Sequence, residues 1–176
     1  DPVLVWRFYQ ARRRQLNEVA PNPAHEALAE LANGLGNMVL ITQNVDDLHE
    51  RAGSSRVMHL HGEIRKARST QRADMVLDLP GTELNLGDVG PDGAQLRPHI
   101  VWFGEAVPLM DAAMDVVAAA DVVIVVGTSL QVYPAAGLVG YVPLDAPIHV
   151  VDPHTPLEGG GRVELHRCGA VEGLTR

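Results

Sequence analysis

Cysteine is nearly absent from the 176 residues: Cys168 stands alone. A single thiol excludes an internal disulfide framework and any multi-cysteine zinc site, and a reducing cytoplasm becomes the default setting. Apolar runs are short as well, and none approaches the roughly 20 residues of a membrane-spanning helix. The opening residues Asp1-Pro2-Val3-Leu4 lack the basic-then-apolar order of a secretory signal. Their start at Asp rather than Met is expected of a chain whose beginning lies elsewhere. Clustered positive charge is confined to Arg12-Arg13-Arg14, against a formal net charge of −8. Phosphate backbones are bound by grouped Lys and Arg, so a general nucleic-acid surface is disfavoured. Internal repeats and low-complexity tracts are missing. What remains is an ordinary globular composition, 46% apolar and 20% charged, long enough for one buried core with a small appended module.

Periodicity gives the outline. Val3 to Gln15 has no Gly or Pro and places Val3, Trp6 and Gln10 on one helical face. Asn22 reads as an N-cap with Pro23 at the first helical position, followed by a stripe of Ala24, Ala27, Leu28 and Leu31 that Gly34 ends. Met38-Val39-Leu40-Ile41 suits a short strand buried on both faces. From Glu63 to Leu96 the chain is punctuated by Pro80, Gly81, Gly87, Gly90, Pro91 and Gly93, with Met75-Val76-Leu77 its one compact apolar cluster, and reads as a loop-rich module. His99 to Phe103 is the next expected strand, Pro108 to Ala120 a helix, and Val122 to Val126 the strongest buried-strand signal. A further helix is expected near Pro134 and a strand over Ile148 to Val151. Strands alternating with helices predict an α/β fold with a Rossmann-like parallel sheet and helices on both faces. The expected division is a helical segment over 1–21, the nucleotide-type domain over 22–62 and 97–176, and the small module over 63–96.

Chemistry concentrates in Thr42 to Gly62, TQNVDDLHERAGSSRVMHLHG. Gln43, Asn44 and Asp46 fall just past a parallel strand's carboxyl end, where open α/β sheets hold ligands. Val57 to His61 reads as extended, with His59 and His61 on one side. His61 suits a general base at neutral pH; His59, His61 and His99 together could instead start a metal site, and core histidines satisfied by hydrogen bonds are the plain alternative. Gly127-Thr128-Ser129 at the end of the Val122 strand allows close approach of a phosphate or ribose, though an ordinary βα turn carries the same residues. Asp152 is placed to accept ribose hydroxyls, or simply to start a turn before Pro153. Tyr9 and Arg12, three apart on one helix, can grip a carboxylate; a solvated helix face also fits them.

Four motifs in order, T-Q-N-V-D-D-L-H-E-R-A-G (Thr42 to Gly53), H-L-H-G (His59 to Gly62), R-P-H-I-V-W-F-G-E (Arg97 to Glu105) and G-T-S-L-Q-V-Y-P-A-A-G (Gly127 to Gly137), resemble the sirtuin family of NAD-dependent protein deacylases. F-Y-Q-A-R (Phe8 to Arg12) resembles its bacterial branch preferring succinyl and malonyl lysine. The resemblance implies an NAD-dependent lysine deacylase that acts on acyl-lysine proteins or peptides and yields nicotinamide and O-acyl-ADP-ribose. It implies His61 and Asn44 as catalytic, and Gln43, Asn44, Asp46, Gly127, Thr128, Ser129, Asp152 and Cys168 as NAD-binding. Tyr9 and Arg12 would hold the acyl carboxylate, and Val101, Trp102, Phe103 and Gly104 would pair with the substrate backbone as an added strand.

Three departures accompany the resemblance. The family's opening glycine-rich strand and loop has no match here, and a chain without it is expected to bind NAD poorly. The two cysteine pairs that hold the family's structural zinc are absent from 63–96, with Ser69 near the place of the first, so no zinc and no other metal ligand is expected. Asp74, Asp78, Glu83 and Asp88 offer carboxylates for a hard cation, but at no recurring loop spacing. Asp152 and His154 stand where the family has asparagine and glutamate. The rival expectations are a non-catalytic module that binds ADP-ribose or a protein partner, and an NAD hydrolase or ADP-ribosyltransferase.

Overall fold

Asp1 starts the first helix by accepting hydrogen bonds from the amides of Val3 (3.0 Å) and Leu4 (3.3 Å), two donors that a helix start leaves without internal partners. This is a computed structural model, and it describes residues 1–175. Helix α1 (Pro2–Leu16) buries Trp6, Arg13 and Leu16 rather than Val3 and Gln10; Val3 is exposed and Gln10 donates to the Leu84 carbonyl. Asn22 caps α2 (Pro23–Leu35), accepting from the amides of Ala24 and His25 while the His25 ring accepts the Asn22 amide. Such a cap contributes about 1 kcal/mol. The helix runs through Gly34 and stops at Gly36, whose φ of 73° is the left-handed conformation that ends helices. Leu31 of the expected stripe is exposed, and the buried side is Ala24, Leu28 and Ala29.

Two short parallel strands follow, β1 (Leu40–Thr42) and β2 (Val57–His59), with Ile41 opposite Met58 and Thr42 opposite His59. They are joined through α3 (Leu48–Arg51). Next comes an antiparallel sheet of order β4-β3-β5, made of β3 (Gly62–Ser69), β4 (Val76–Asp78) and β5 (Leu96–Ile100). The longest strand, β3, thus opens the segment that composition marks as loop-rich. Its sequence GEIRKARS hides the alternation because Arg65, Lys66 and Arg68 supply long stems whose charged ends find partners. β5 begins at Leu96 and pairs antiparallel with β3, not with the parallel strands, and the expected strand through Phe103 stops at Ile100.

The rest is a second parallel sheet, with helix α4 (Met110–Ala118) leading into β6 (Val123–Val126), a 3₁₀ segment (Ala135–Tyr141) leading into β7 (Ile148–Val151), then β8 (Val163–His166) and α5 (Ala170–Leu174). β8 and α5 escape sequence periodicity. Among the described residues β6, expected to be the most buried strand, pairs only with β7, and Ile124 is 37% exposed. Ala113 of α4 and Ala135 of the 3₁₀ segment pack with Ile41 and Met58. Val117 of the same helix packs with Ile148, Val150, Val123 and Val125. One helical layer therefore covers both parallel sheets, while α5 lies against α2 and β7 on the other side. The architecture is Rossmann-like α/β.

The small sheet is held without cysteine. Trp6, Ala67, Leu84 and Leu96 form its core. Ser69 Oγ donates to Asp92 (2.5 Å) and accepts the amides of Gln71 and Arg72 (3.1 Å each). Three of the four carboxylates that could serve a hard cation are otherwise engaged: Asp74 pairs with Arg72, Glu83 with Arg14, and Asp88 accepts the Asn85 amide. Glu105 takes both Arg97 (2.5 Å) and Arg68 (3.1 Å) and also accepts the Trp102 amide (2.9 Å). The hydrogen bond from Arg97 holds its carboxyl below the ordinary value of 4.5, partial burial opposing.

A depressed folded-state value means that Glu105 contributes its full stability above pH 4.5 and loses it as the pH falls through the lower folded-state value. Glu105→Gln is expected to cost about 2 kcal/mol at pH 7 in urea denaturation, and to flatten the loss of stability below the ordinary glutamate range. Equal stabilities of variant and parent at pH 7 would refute the linkage.

Candidate functional site

The polar residues after β1 are fixed by two histidines acting on consecutive carbonyls. His61 Nδ1 lies 3.1 Å from the Gln43 carbonyl oxygen, and His59 Nδ1 lies 3.2 Å from that of Asn44. His59 is buried and its Nε2 reaches Glu50 at 2.7 Å. Thr42 Oγ1 accepts the Asn44 amide (3.1 Å), the Thr42 carbonyl accepts the Leu60 amide, and Asp46 accepts the Leu48 amide (3.1 Å). With its backbone so tied, the loop presents the Gln43 and Asn44 side-chain amides with no hydrogen bond among the described residues.

His61 sits just past β2 and is half-buried. A carbonyl only accepts, so the bond to Gln43 puts the proton on Nδ1 and leaves the lone pair on Nε2, the tautomer that can take a proton. Gly62 makes the turn behind it possible. Its φ is 84°, and a Cβ there would fall 2.0 Å from the His99 carbonyl oxygen, so any side chain would collide with β5. The His61 carbonyl accepts the Val101 amide at 2.9 Å.

Val101, Trp102, Phe103 and Gly104 form no strand. A turn closed by the Glu105 amide on the Trp102 carbonyl (3.0 Å) carries them away from β5, Gly104 at φ 88° and Phe103 98% exposed. The Trp102 ring lies 3.5 Å from the Arg97 guanidinium, and its Nε1 donates to Tyr9 Oη at 2.8 Å. Tyr9 thereby accepts one bond and keeps its own proton to give.

Tyr9 and Arg12 line a cleft of about 400 Å³ with Val45, Asp46, Ile64 and Ile100 among its walls. The Arg12 guanidinium lies 5.2 Å from the Phe8 ring centre and donates to Gln15 (3.0 Å). The cleft joins the first helix to the loop after β1, two regions that sequence spacing treats separately. Phe8 was legible as an i,i+4 neighbour of Arg12; Val45 and Ile64 carry no local signal of a wall position.

The remaining candidates occupy carboxyl ends of the second parallel sheet. Gly127, Thr128 and Ser129 follow β6, with Gly127 at φ 59° and open space where a Cβ would stand. Thr128 Oγ1 accepts the Leu130 amide (3.2 Å). Asp152 follows β7, one of its oxygens accepting the His154 amide (2.6 Å), and Cys168 follows β8. His59, His61 and His99 do not converge on a metal: among the described residues no three ligand atoms within 4.8 Å include them. Burial, ahead of nearby Arg68, lowers the His99 pKa from its ordinary value.

Residues 1–134 match the sequence profile of the Sir2 family. The chain belongs to that family. It is 50% identical to an NAD-dependent protein deacylase of Bacteroides thetaiotaomicron, the match covering 99% of this chain and 76% of that protein. It is 55% identical to one of Helicobacter pylori over 87% of this chain and 66% of that protein. In three dimensions it is similar to a Sir2 homologue solved with NAD, with a TM-score of 0.88 and 42% identity over 99% of this chain and 70% of that one. A Sir2 protein solved with a p53 peptide and NAD⁺ gives 0.76 and 29% over 92% and 70%. This Sir2-family chain therefore spans about two thirds to three quarters of the length of these relatives. In its small module Ser69 with Asp92 takes up the turn after β3.

The histidine clamp is testable apart from activity. His59→Leu removes the ring nitrogens facing Asn44 and Glu50 and leaves a partly buried carbonyl unpaired, at an expected cost of about 1 kcal/mol in urea denaturation. Amide hydrogen exchange over residues 43–46 should speed up more than elsewhere. Unchanged exchange there would reject the clamp.

Proposed function

We propose that this Sir2-family chain carries an NAD-dependent lysine deacylase activity with a preference for acyl groups that end in a carboxylate, such as succinyl and malonyl. The observation that carries the preference is the cleft in which Tyr9 and Arg12 meet apolar walls. Leu16, Val45, Ile64 and Ile100 suit the methylene part of an acyl chain, and a guanidinium beside a hydroxyl with its proton free suits the terminal carboxylate.

The residues present fit the dinucleotide in kind. Gly127 leaves room for close backbone approach, Thr128 and Ser129 bring hydroxyls, Asp152 keeps a carboxylate oxygen for a ribose hydroxyl, and Cys168 borders the same strand ends. Gln43, Asn44 and Asp46 are assigned to the nicotinamide ribose. Bound NAD supplies the electrophilic ribose carbon and, with nicotinamide as leaving group, the acceptor for the acyl group. His61 takes a ribose hydroxyl proton on Nε2 while the Gln43 carbonyl holds Nδ1, and Asn44 orients the ribose through its unengaged amide. Val101 to Gly104, tethered at one end by His61 and at the other by Glu105, offers main-chain groups to an extended acyl-lysine peptide. The relatives named as NAD-dependent protein deacylases and the Sir2 structure holding a p53 peptide support this reading.

The test is peptide deacylation by the purified protein with NAD. Arg12→Met is expected to lower turnover of succinyl-lysine about 10- to 100-fold, the worth of a charged hydrogen bond, and turnover of acetyl-lysine less than about threefold. Equal losses would overturn the acyl preference. His61→Tyr is expected to abolish turnover of both while the circular dichroism spectrum is kept. Binding of ADP-ribose with no turnover by the unmodified protein would favour a non-catalytic module instead.

A further inference from the structure

Outside the cleft and the strand ends, one group of side chains among the described residues has the composition and spacing of a metal site. β7 and β8 run parallel in a register that sets His149 beside Glu164 and Val151 beside His166. Side chains two apart on a strand share a face, so His149, Glu164 and His166 all project from the same side of the sheet. Their ligand atoms converge. Glu164 Oε2 lies 3.3 Å from His149 Nδ1, Glu164 Oε1 lies 3.7 Å from His166 Nε2, and the two ring nitrogens are 3.5 Å apart.

Neither ring nitrogen has another partner among the described hydrogen bonds, and 3.5 Å is too long for a good nitrogen-to-nitrogen hydrogen bond. A cation at 2.0–2.1 Å from two tetrahedral ligands sets those ligands about 3.4 Å apart. The three separations bracket that value. The rings are nearly parallel, 23° apart, with centroids at 5.8 Å. That spacing allows both nitrogens to turn toward a common point.

We propose that His149, Glu164 and His166 bind a divalent first-row transition metal ion such as zinc, cobalt or nickel. Two imidazoles and one carboxylate are donors of the borderline class, which suits these ions over magnesium or calcium. Side-chain exposures of 35%, 64% and 38% leave the site open to entry and leave the fourth position to water. The set is unrelated to the cysteine zinc module and shares no residue with the NAD-facing strand ends. It joins β8, an edge strand, to the centre of its sheet. A bound ion therefore ties the last parallel strand to the rest of the fold, directly beneath Asp152 and Cys168.

The test uses the full chain without a histidine tag, stripped with chelator and dialysed. Titration with cobalt(II) should give one saturating equivalent with the visible absorption of a four-coordinate ion, displaced by zinc(II). Zinc at a hundred times its dissociation constant should raise the melting temperature by about 5–10 °C. His149→Gln and His166→Gln should each weaken binding more than tenfold, since loss of even a supporting partner around a metal costs 10- to 100-fold. Glu164→Gln, which sits on the exposed side and preserves the side-chain volume, should do the same and serves should either histidine variant fold poorly. His154→Gln should leave affinity unchanged. Absence of a saturating equivalent, or undiminished cobalt absorption in Glu164→Gln and in the folded histidine variants, would overturn the site.

Discussion

The structure turns on two imidazoles that hold two successive carbonyls. The Gln43 and Asn44 carbonyls lie at the end of β1, where the chain leaves its strand and has no ladder to satisfy it. Unpaired carbonyls shielded from water are costly, and for these partly buried ones His61 and His59 lie within hydrogen-bond reach at the end of the neighbouring strand. The parallel register makes this possible, since Thr42 opposite His59 brings the end of β2 level with the end of β1. The same bonds that satisfy the backbone fix the tautomer of His61 and turn the Gln43 and Asn44 amides outward. Folding energy and site chemistry thus share one set of contacts, which explains why polar residues crowd into so short a stretch.

A second consequence concerns His61 from behind. Its carbonyl holds Val101, Val101 leads to Trp102, and Trp102 binds Tyr9 while stacking on Arg97, which Glu105 anchors. The loop after β5 has little apolar burial of its own, so charge supplies the order. Two guanidiniums share one carboxylate at only 30% exposure, and each is too enclosed to be left unpaired cheaply. The chain from His61 to Tyr9 therefore connects the loop after β1 to the cleft lined by Tyr9 and Arg12 through contiguous hydrogen bonds and ring contacts.

What could be read in the sequence follows from range. Caps and short apolar runs are local, and Asn22, Pro23 and the runs at Leu40, Val123 and Ile148 located α2 and three parallel strands. β3 was hidden because its inward and outward positions both carry long charged residues; Arg68 is buried against Ile100 and Glu105, and its burial depends on partners more than thirty residues away. Arg13 makes the same point. Within Arg12-Arg13-Arg14 the three look alike, yet Arg13 is 1% exposed, donates to the Thr82 carbonyl at 2.8 Å, and has its pKa lowered by burial, Glu83 opposing. The His149, Glu164 and His166 grouping was half legible: Glu164 and His166 show a period of two, but their partner comes from a strand whose register no local pattern reveals.

Helix α1 shows how one element serves fold and site together. Seven residues separate Trp6 from Arg13 and Tyr9 from Leu16, close to two helical turns, so these pairs define two adjacent ridges. The first ridge is sunk into the small sheet, Trp6 against Ala67 and Leu96 and Arg13 against the carbonyls of Thr82 and Ile64. The second runs along the lip of the cleft, where Leu16 closes onto Ile64 and Ile100 and Tyr9 meets Trp102. Arg12 lies one step farther round, still lining the cleft but stacked on Phe8 at its outer edge. Because the buried ridge sets the rotation of the helix, it also sets how far Tyr9 and Arg12 reach. A change at Trp6 or Arg13, which line no part of the cleft, would rotate Tyr9 and Arg12, so the shape of the cleft rests on that packing as much as on Arg12 itself.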